Sequence, residues 1–408
     1  MAQSTTPRNT AQTTAQTTAQ TTVPTAAQTA APIAAPTKAR IISADCHVNE
    51  PPHVFDRVPA EFRDRTPRLM RGEDGGDGWS FDGKPPKRTY GVEAMAGRAK
   101  DEHVASGLRF EDILPGNYDG AAHVADMELD GVDVSVVYPA NAIFTYQAAD
   151  RALAQACMLA YNDWILDEFQ AADPSRIVGL PMLPVDDGMR AATAELERVL
   201  AAGAKAAFLP GNPVRPYHDP YYEELWTAAE RNGLPLTYHR TFGGKPQETD
   251  WDNVANNNFS AAGTVHRFFS STRQLTYMTL AGVFERHPGL RMVVGEVNFG
   301  WLPFWAQTMD EQFENQHSMG TLQVNSPPSK VLGEQVFVTV LDDRVGFDLV
   351  KSGRYPYLAA AAMFSTDYPH SVCLWPNTRK IADELTRGLD ETDAERILSG
   401  NAARVYGV

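Results

Sequence analysis

The strongest constraint on the fold is an alternation of short apolar segments with longer amphipathic segments, which begins near residue 40. Apolar runs separated by segments of helical periodicity predict parallel strands, because parallel strands are joined by crossovers and not by tight turns. The predicted strands are 41–48, 132–139, 177–185, 204–210, 234–239, 290–297, 336–341 and 361–366. The predicted helices are 120–129, 151–172, 189–202, 221–232, 271–286, 302–316, 378–387 and 394–406.

Eight strand–helix units predict an α/β fold of the TIM-like (β/α)8 barrel type. The alternative is an open doubly wound sheet. That fold is expected to carry a glycine-rich phosphate-binding turn after an early strand, and the sequence has neither such a turn nor a P-loop. Two predicted insertions, at about 51–118 and at Thr241–Ala262, follow the first and fifth strands. Both extend from strand C-termini, where barrels build their active sites.

The first 38 residues differ in composition from the rest of the chain. They consist largely of Thr, Ala, Gln and Pro, contain three AQTT repeats and have no aromatic residue. Such a segment buries too little apolar surface to offset its chain entropy, so we predict a disordered tail at 1–38 and a barrel domain at 39–408. The tail also lacks the apolar centre of a secretory signal.

Charge and cysteine content exclude several classes of partner. The net charge is −15, from 51 acidic and 36 basic residues, which argues against binding to nucleic acid or to an anionic membrane. No uncharged apolar run reaches the ~18 residues that a membrane span needs. Three cysteines are too few for a disulfide framework, and we therefore expect a reducing, cytoplasmic location.

Acidic residues and histidines stand where predicted strands end. The first strand ends in Asp45, Cys46 and His47, and the fifth ends in His239. Side chains alternate along a strand, so Asp45 and His47 are predicted to share one face while Cys46 points away. A single histidine such as His239 is also compatible with an ordinary hydrogen-bonded structural role.

The sixth and eighth strands add further polar residues. Glu296 lies near the end of the sixth strand with Asn298 two residues later, and the eighth ends near Asp367 with His370 three residues on. Because strand C-termini meet at one rim of a barrel, these side chains are predicted to converge. Mixed imidazole and carboxylate groups suit Zn²⁺, Mn²⁺ or Fe²⁺, or an acid/base site. A turn or helix-capping role for Asp367 is the alternative.

Three segments carry a family resemblance. They are IISADCHVNEP at 41–51, GVFERHPGLRMVVGEVNFGWLPFW at 282–305 and the block that begins STDYPHSVCLWPNTRK at 365 and runs to the last residue. With these segments the chain, from about residue 40 onward, resembles the amidohydrolase-related (amidohydrolase 2) family. That family includes aminocarboxymuconate semialdehyde decarboxylase and γ-resorcylate decarboxylase.

The resemblance implies a distorted barrel that holds one divalent metal ion, usually zinc or manganese. His47, His239 and Asp367 match metal-binding positions of the family, and Asp45 takes the place of its first histidine, which is a glutamate in some of its decarboxylases. The family's decarboxylases also carry a histidine after the sixth strand. Here that segment reads GEVN, so Glu296 either replaces the histidine as an acid/base or orients a ligand.

We therefore expect a metal-dependent hydrolase that uses metal-activated water on a small carboxylated or cyclic organic substrate, with zinc favoured over manganese or iron. One alternative is a non-oxidative decarboxylase of an aromatic or dienoic acid. Others are a binding protein without catalysis and a metal-free isomerase or lyase. The resemblance also implies a homodimer. The predicted catalytic residues are Asp367, Glu296 and His370. The predicted substrate-binding residues are Arg240, Asn298 and Trp301.

Overall fold

The computed structural model describes residues 39–86, 88–240, 261–322 and 324–408. The predicted tail and nearly all of the predicted second insertion lie outside these residues. The strands of the described part are β1 (Ile42–His47), β2 (Arg68–Arg71), β3 (Asp77–Ser80), β4 (Val134–Tyr138), β5 (Ile177–Gly179), β6 (Ala207–Leu209), β7 (Leu236–His239), β8 (Met292–Gly295), β9 (Val336–Val340) and β10 (Ala362–Phe364). Its helices are α1 (Gly120–Asp130), α2 (Arg151–Trp164), α3 (Met189–Ala201), α4 (Glu223–Asn232), α5 (Ala261–Leu280), α6 (Val283–Arg286), α7 (Leu302–Ser318), α8 (Arg344–Lys351), α9 (Tyr357–Ala361), α10 (Thr378–Thr386), α11 (Glu391–Glu395) and α12 (Asn401–Tyr406).

The parallel strands form two sheets whose edges meet. One sheet has the order β1–β4–β5 and the other runs from β6 to β10 in chain order. At one seam Met182 pairs with Phe208, whose backbone N–H donates to Pro181 O at 2.7 Å. At the other seam Asp367 N donates to Asp45 O at 3.0 Å. Both seams are bridged by backbone hydrogen bonds, so the eight strands close into the predicted barrel.

The apolar side chains of β9 alternate between two apolar clusters. Along β9, Val336, Val338 and Val340 pack with residues of the surrounding helices. Phe337 packs in the second cluster with residues of neighbouring strands, including Phe208, Val293 and Met363. Because the side-chain period of a strand is two, Thr339 shares the inward face of Phe337.

Several predicted boundaries shift. The third predicted strand shortens to β5, since Pro181 and Pro184 follow it and proline cannot donate to a sheet. The second predicted helix ends as α2 at Trp164 and continues as a π-turn over Ile165–Phe169. The two short helices α8 and α9, between β9 and β10, were not predicted because their apolar patterns span only one or two turns.

The first insertion contains a hairpin, formed by antiparallel pairing of β2 with β3. Its aromatic residues pack on one another: Trp79 Nε1 donates to Tyr90 Oη at 2.8 Å, and the Trp79 ring lies edge-on to Phe55. The insertion also contacts the segment after β10, because Val92 O accepts a hydrogen bond from Ser371 N at 2.7 Å. It is thus a small packed unit that adjoins the C-terminal end of the barrel.

The three cysteines, Cys46, Cys157 and Cys373, are free. Burial raises the pKa of Cys46 to about 11 and that of Cys157 to about 12, so both remain protonated thiols at neutral pH. Cys46 Sγ donates to Ser43 Oγ at 3.0 Å. In the described part of the chain, no helix is both long enough and apolar enough to cross a bilayer.

Glu50 fixes the segment that follows β4. Its carboxylate is fully buried and accepts backbone N–H groups from Ala140, Asn141 and Ala142 at 2.8 to 3.0 Å. In Glu50→Gln the amide NH2 faces these donors, so we expect the free energy of unfolding to fall by ~2 kcal/mol in denaturant titrations. Glu314→Gln, at an exposed position, is the control. Equal stability of the two variants would contradict this role.

A buried histidine makes stability depend on pH. Nδ1 of His123 lies 2.9 Å from Gly116 O and Nε2 lies 3.0 Å from Ser135 Oγ, and burial lowers the pKa of His123 to about 4. The unfolded chain therefore binds a proton first as pH falls. We expect the contribution of neutral, buried His123 to the free energy of unfolding to be complete above the ordinary histidine pKa of ~6.5. This contribution should decline by about 3 kcal/mol by pH 4.

The measurement is the free energy of unfolding against pH for the parent chain and for His123→Gln. The variant should lose stability less steeply between pH 6.5 and 4, the window set by the two pKa values. The exposed His317→Gln should keep the slope of the parent chain. An unchanged slope in His123→Gln would show that its protonation is not linked to folding.

Candidate metal centre

The predicted polar residues meet at the C-terminal ends of four strands. Asp45 and His47 lie on β1, and His239 is the last residue of β7. Glu296 directly follows β8, and Asp367 lies three residues after the end of β10. The predicted convergence of these strand ends is present in the structure.

One part of the cluster surrounds the imidazole of His47. Its Nε2 lies 3.4 Å from Asp45 Oδ1 and 3.3 Å from Asp367 Oδ1. The His370 ring stacks on His47 with centroids 4.0 Å apart, and its Nδ1 lies 2.9 Å from the same oxygen of Asp367. His47 is thus held between two carboxylates and under a second imidazole.

The other part of the cluster surrounds His239. Its Nε2 lies 3.2 Å from Glu296 Oε2 and 4.0 Å from Asp45 Oδ2. The rings of His239 and His47 are 5.2 Å apart in an edge-to-face arrangement. Asp45 therefore lies between the two imidazoles and links the two parts.

The donor atoms fit a cation. His47 Nε2, Asp45 Oδ1 and both carboxylate oxygens of Asp367 are buried, and none has a hydrogen bond of acceptable geometry to the described residues. Two overlapping sets, Asp45–His47–His239 and His47–Asp367–His370, each place their donor atoms within 4.8 Å of one another. Buried polar atoms are normally satisfied, so atoms that face a common point without hydrogen bonds suit shared ligation.

The electrostatics of the cluster call for positive charge. Burial works against a charged His47, yet Asp367 and Asp45 raise its pKa to about 10. Burial also disfavours a charged Asp367, but His370 and His47 hold the pKa of that carboxyl well below its usual range. The two carboxylates therefore favour positive charge between them, which a protonated His47 or a bound cation would supply.

Glu296 occupies the position expected for the family's histidine. Its carboxylate forms an ion pair with Arg240, and burial together with Asp367 raises its pKa to about 8. Its backbone is left-handed, with φ +55°, and its N–H donates to Thr339 Oγ1 at 2.6 Å. The structure thus places the Glu296 carboxyl group beside His239, and its role as an acid/base stays a prediction.

The side chains of Asn298 and Trp301 form hydrogen bonds with backbone groups that hold the segment between β8 and α7 in place. Asn298 Oδ1 accepts the N–H of Leu341 at 3.1 Å, and Trp301 Nε1 donates to Val297 O at 2.9 Å. Both side chains therefore have partners within the protein, and their contact with substrate stays a prediction. The same holds for Arg240, which lies next to His239 and pairs with Glu296.

Three supporting residues were missed in the sequence. The Thr339 hydroxyl donates to Asp45 Oδ2 at 2.9 Å, and the Tyr138 ring lies 5.7 Å from His47 and 5.8 Å from His239. A Cβ at Gly295 would lie 3.0 Å from His239 Cδ2 and 3.2 Å from Asp45 Oδ2. Two features of the sequence could have indicated these residues: Thr339 is a polar residue within the apolar run VFVTVL, and Gly295 is a glycine at the end of a predicted strand.

Comparison with known proteins assigns the family. The family model described as Amidohydrolase matches residues 44–408, which is most of the chain. The chain belongs to this amidohydrolase family. Membership confirms the resemblance, the barrel and the expectation of an enzyme of the metal-dependent hydrolase or carboxy-lyase class.

Solved structures of low sequence identity share the fold. An amidohydrolase from Mycobacterium avium subsp. paratuberculosis aligns with a TM-score of 0.71 at 18% identity, over 91% of this chain and 99% of that one. A 5-carboxyvanillate decarboxylase from Sphingomonas paucimobilis gives 0.62 at 20% identity, over 91% and 100%. A dihydroxybenzoic acid decarboxylase from a Polaromonas species, with bound manganese and 2-nitroresorcinol, gives 0.61 at 17% identity, over 90% and 97%.

The tight packing at Gly295 is testable. In Gly295→Ala the added methyl must displace His239 or Asp45, because both lie closer than ordinary van der Waals contact. We expect a loss of ~1–3 kcal/mol in the free energy of unfolding, measured by denaturant titration. A variant as stable as the parent chain would show that the cluster has room for a Cβ there.

Proposed function

We propose that the chain is a metal-dependent carboxy-lyase that removes CO2 from a small aromatic or dienoic acid. The supporting observation is the buried imidazole–carboxylate cluster at the barrel rim, in a chain of which 91% aligns with a 5-carboxyvanillate decarboxylase and 90% with a dihydroxybenzoic acid decarboxylase. Hydrolysis by activated water, our first expectation, is the second candidate, and the family description supports it.

In this proposal Asp45, His47, His239 and Asp367 hold one divalent cation. Carboxylate and imidazole ligands are compatible with zinc, our first choice from the sequence, and with manganese, which two structurally similar decarboxylases contain. When bound, the ion would supply Lewis-acid stabilisation of a substrate oxygen. His370 stacks on His47 and contacts Asp367, so it would keep both groups oriented.

Glu296 would supply the proton that replaces CO2, and Arg240 and Trp301 would contact the substrate. Glu296, beside His239, would donate a proton to the carbon that bears the carboxylate. The bond between that carbon and the carboxylate then breaks, its electron pair restores the ring or double bond, and CO2 leaves. A proton from water restores Glu296. Arg240 would bind an anionic oxygen of the substrate, and Trp301 would form a wall of the pocket.

The oligomeric state, the location in the cell and the two alternatives to a metal-dependent enzyme need separate tests. A homodimer and a cytoplasmic location stay predictions. A binding protein without catalysis and a metal-free lyase are separated from the proposed enzyme by metal analysis of the purified chain. Stoichiometric divalent metal together with activity that chelator abolishes would exclude both of them.

Isotope labelling separates the two candidate reactions. The protein, loaded with Mn²⁺ or Zn²⁺, is incubated with hydroxybenzoic and dienoic acids and with a panel of esters, lactones and amides. Decarboxylation in D2O places one deuterium on the carbon that carried the carboxylate, because a solvent-derived proton replaces CO2. Hydrolysis in ¹⁸O-labelled water instead places ¹⁸O in the product acid, and this result would overturn the proposal.

The matched variants are Glu296→Gln and Glu230→Gln. The first removes the proposed proton donor and should lower the rate of CO2 release by ~10²–10⁴-fold. Glu230 lies on α4 and accepts the N–H of Gly289, away from the predicted site residues in the contact network, so its variant should keep the rate. Equal rates in the two variants would exclude Glu296 as the donor.

A further inference from the structure

Thr339 connects two groups of the proposed site. Its side chain is fully buried on the inward face of β9. Its Oγ1 lies 2.9 Å from Asp45 Oδ2 and 2.6 Å from the backbone nitrogen of Glu296. One hydroxyl therefore contacts both a candidate metal ligand and the backbone of the candidate acid/base.

The direction of both hydrogen bonds is fixed by chemistry. A backbone N–H can only donate, so the Thr339 oxygen accepts from Glu296. The single hydroxyl proton is then donated to Asp45 Oδ2. The hydroxyl thus has no alternative orientation that satisfies both neighbours.

The two carboxylate oxygens of Asp45 have different surroundings. Oδ2 is engaged by Thr339, while Oδ1 has no hydrogen bond to the described residues and lies 3.4 Å from His47 Nε2. A carboxylate that is anchored through one oxygen presents the other in a defined direction. The Thr339 bond therefore turns Oδ1 toward the centre of the cluster.

The same residue supports the left-handed backbone after β8. Glu296 and Asn298 have φ values of +55° and +56°, which are costly for residues other than glycine. Thr339 accepts the N–H of Glu296 through its side chain and the N–H of Asn298 through its carbonyl, at 3.1 Å. These bonds hold the turn that brings the Glu296 carboxylate to 3.2 Å from His239.

We propose that Thr339 is a positioning residue that orients Asp45 for cation binding and fixes Glu296 beside His239. The inference rests on the proposed metal site and deepens it. A purely structural hydroxyl would contribute to stability without changing how tightly the chain binds a metal ion. Metal affinity, measured without any substrate, therefore distinguishes the two roles.

The test compares Thr339→Val, Thr339→Ser and Thr386→Val. Valine keeps the shape of threonine but removes both hydrogen bonds, while serine keeps them. Thr386 is a matched control, because it is buried and its hydroxyl donates to Ala382 O within its own helix, α10. The affinity of each metal-free protein for Mn²⁺ and Zn²⁺ is measured by chelator competition, and circular dichroism checks the fold.

We expect Thr339→Val to bind both ions ~10–100-fold more weakly, as is usual when a partner that orients a ligand is removed. Thr339→Ser and Thr386→Val should bind like the parent chain. Parent-like binding by Thr339→Val would overturn the inference. If Thr339→Val does not fold, Thr339→Cys replaces it, because a thiol is a weak donor and should also weaken binding.

Failure of this inference is distinguishable from failure of the proposed reaction. Weaker metal binding by Thr339→Val supports the positioning role even if the enzyme releases no CO2. CO2 release by a parent chain whose Thr339→Val variant binds metal normally overturns the positioning role alone. A parent chain that binds neither Mn²⁺ nor Zn²⁺ overturns both.

Discussion

The backbone hydrogen bond from Asp367 N to Asp45 O joins the last strand of the barrel to the first. A second bond, from His47 N to Tyr368 O at 2.7 Å, reinforces the same seam. Without this closure, Asp45 and Asp367 would lie at opposite edges of an open sheet. The seam therefore creates the site as well as the barrel, since two carboxylates from the ends of the domain meet on either side of His47.

Charge is the second constraint on the site. Asp45, Glu296 and Asp367 bring carboxyl groups into a region where solvent is largely excluded. Burial of several carboxylates is costly unless positive charge compensates them. Arg240 pairs with Glu296, and the carboxylates of Asp367 and Asp45 raise the pKa of His47 and thereby favour positive charge at its imidazole. A divalent ion meets the same requirement, which connects the fold to metal chemistry.

Backbone strain is concentrated at the rim of the barrel. Glu296, Asn298 and Asp367 all adopt positive φ values, and such conformations cost about 1–3 kcal/mol each in residues other than glycine. The surrounding structure sustains the first two through Thr339 and Leu341. At Glu296 and Asp367 the left-handed backbone accompanies carboxyl groups that contact His239 and His47.

The sequence by itself determined the eight strands and the rim positions of Asp45, His47, His239 and Asp367. Both follow from local patterns, namely the spacing of apolar residues along each strand and the polar residues at the end of it. The resemblance to the family also placed Glu296 where its decarboxylases carry a histidine, which stays a prediction. Only the tertiary structure decided that Thr339 bonds to Asp45, which is 294 residues away, and that a side chain at Gly295 would crowd His239. A hydrogen-bond partner or a steric limit across a barrel depends on how distant strands pair, and no local pattern of residues encodes that register.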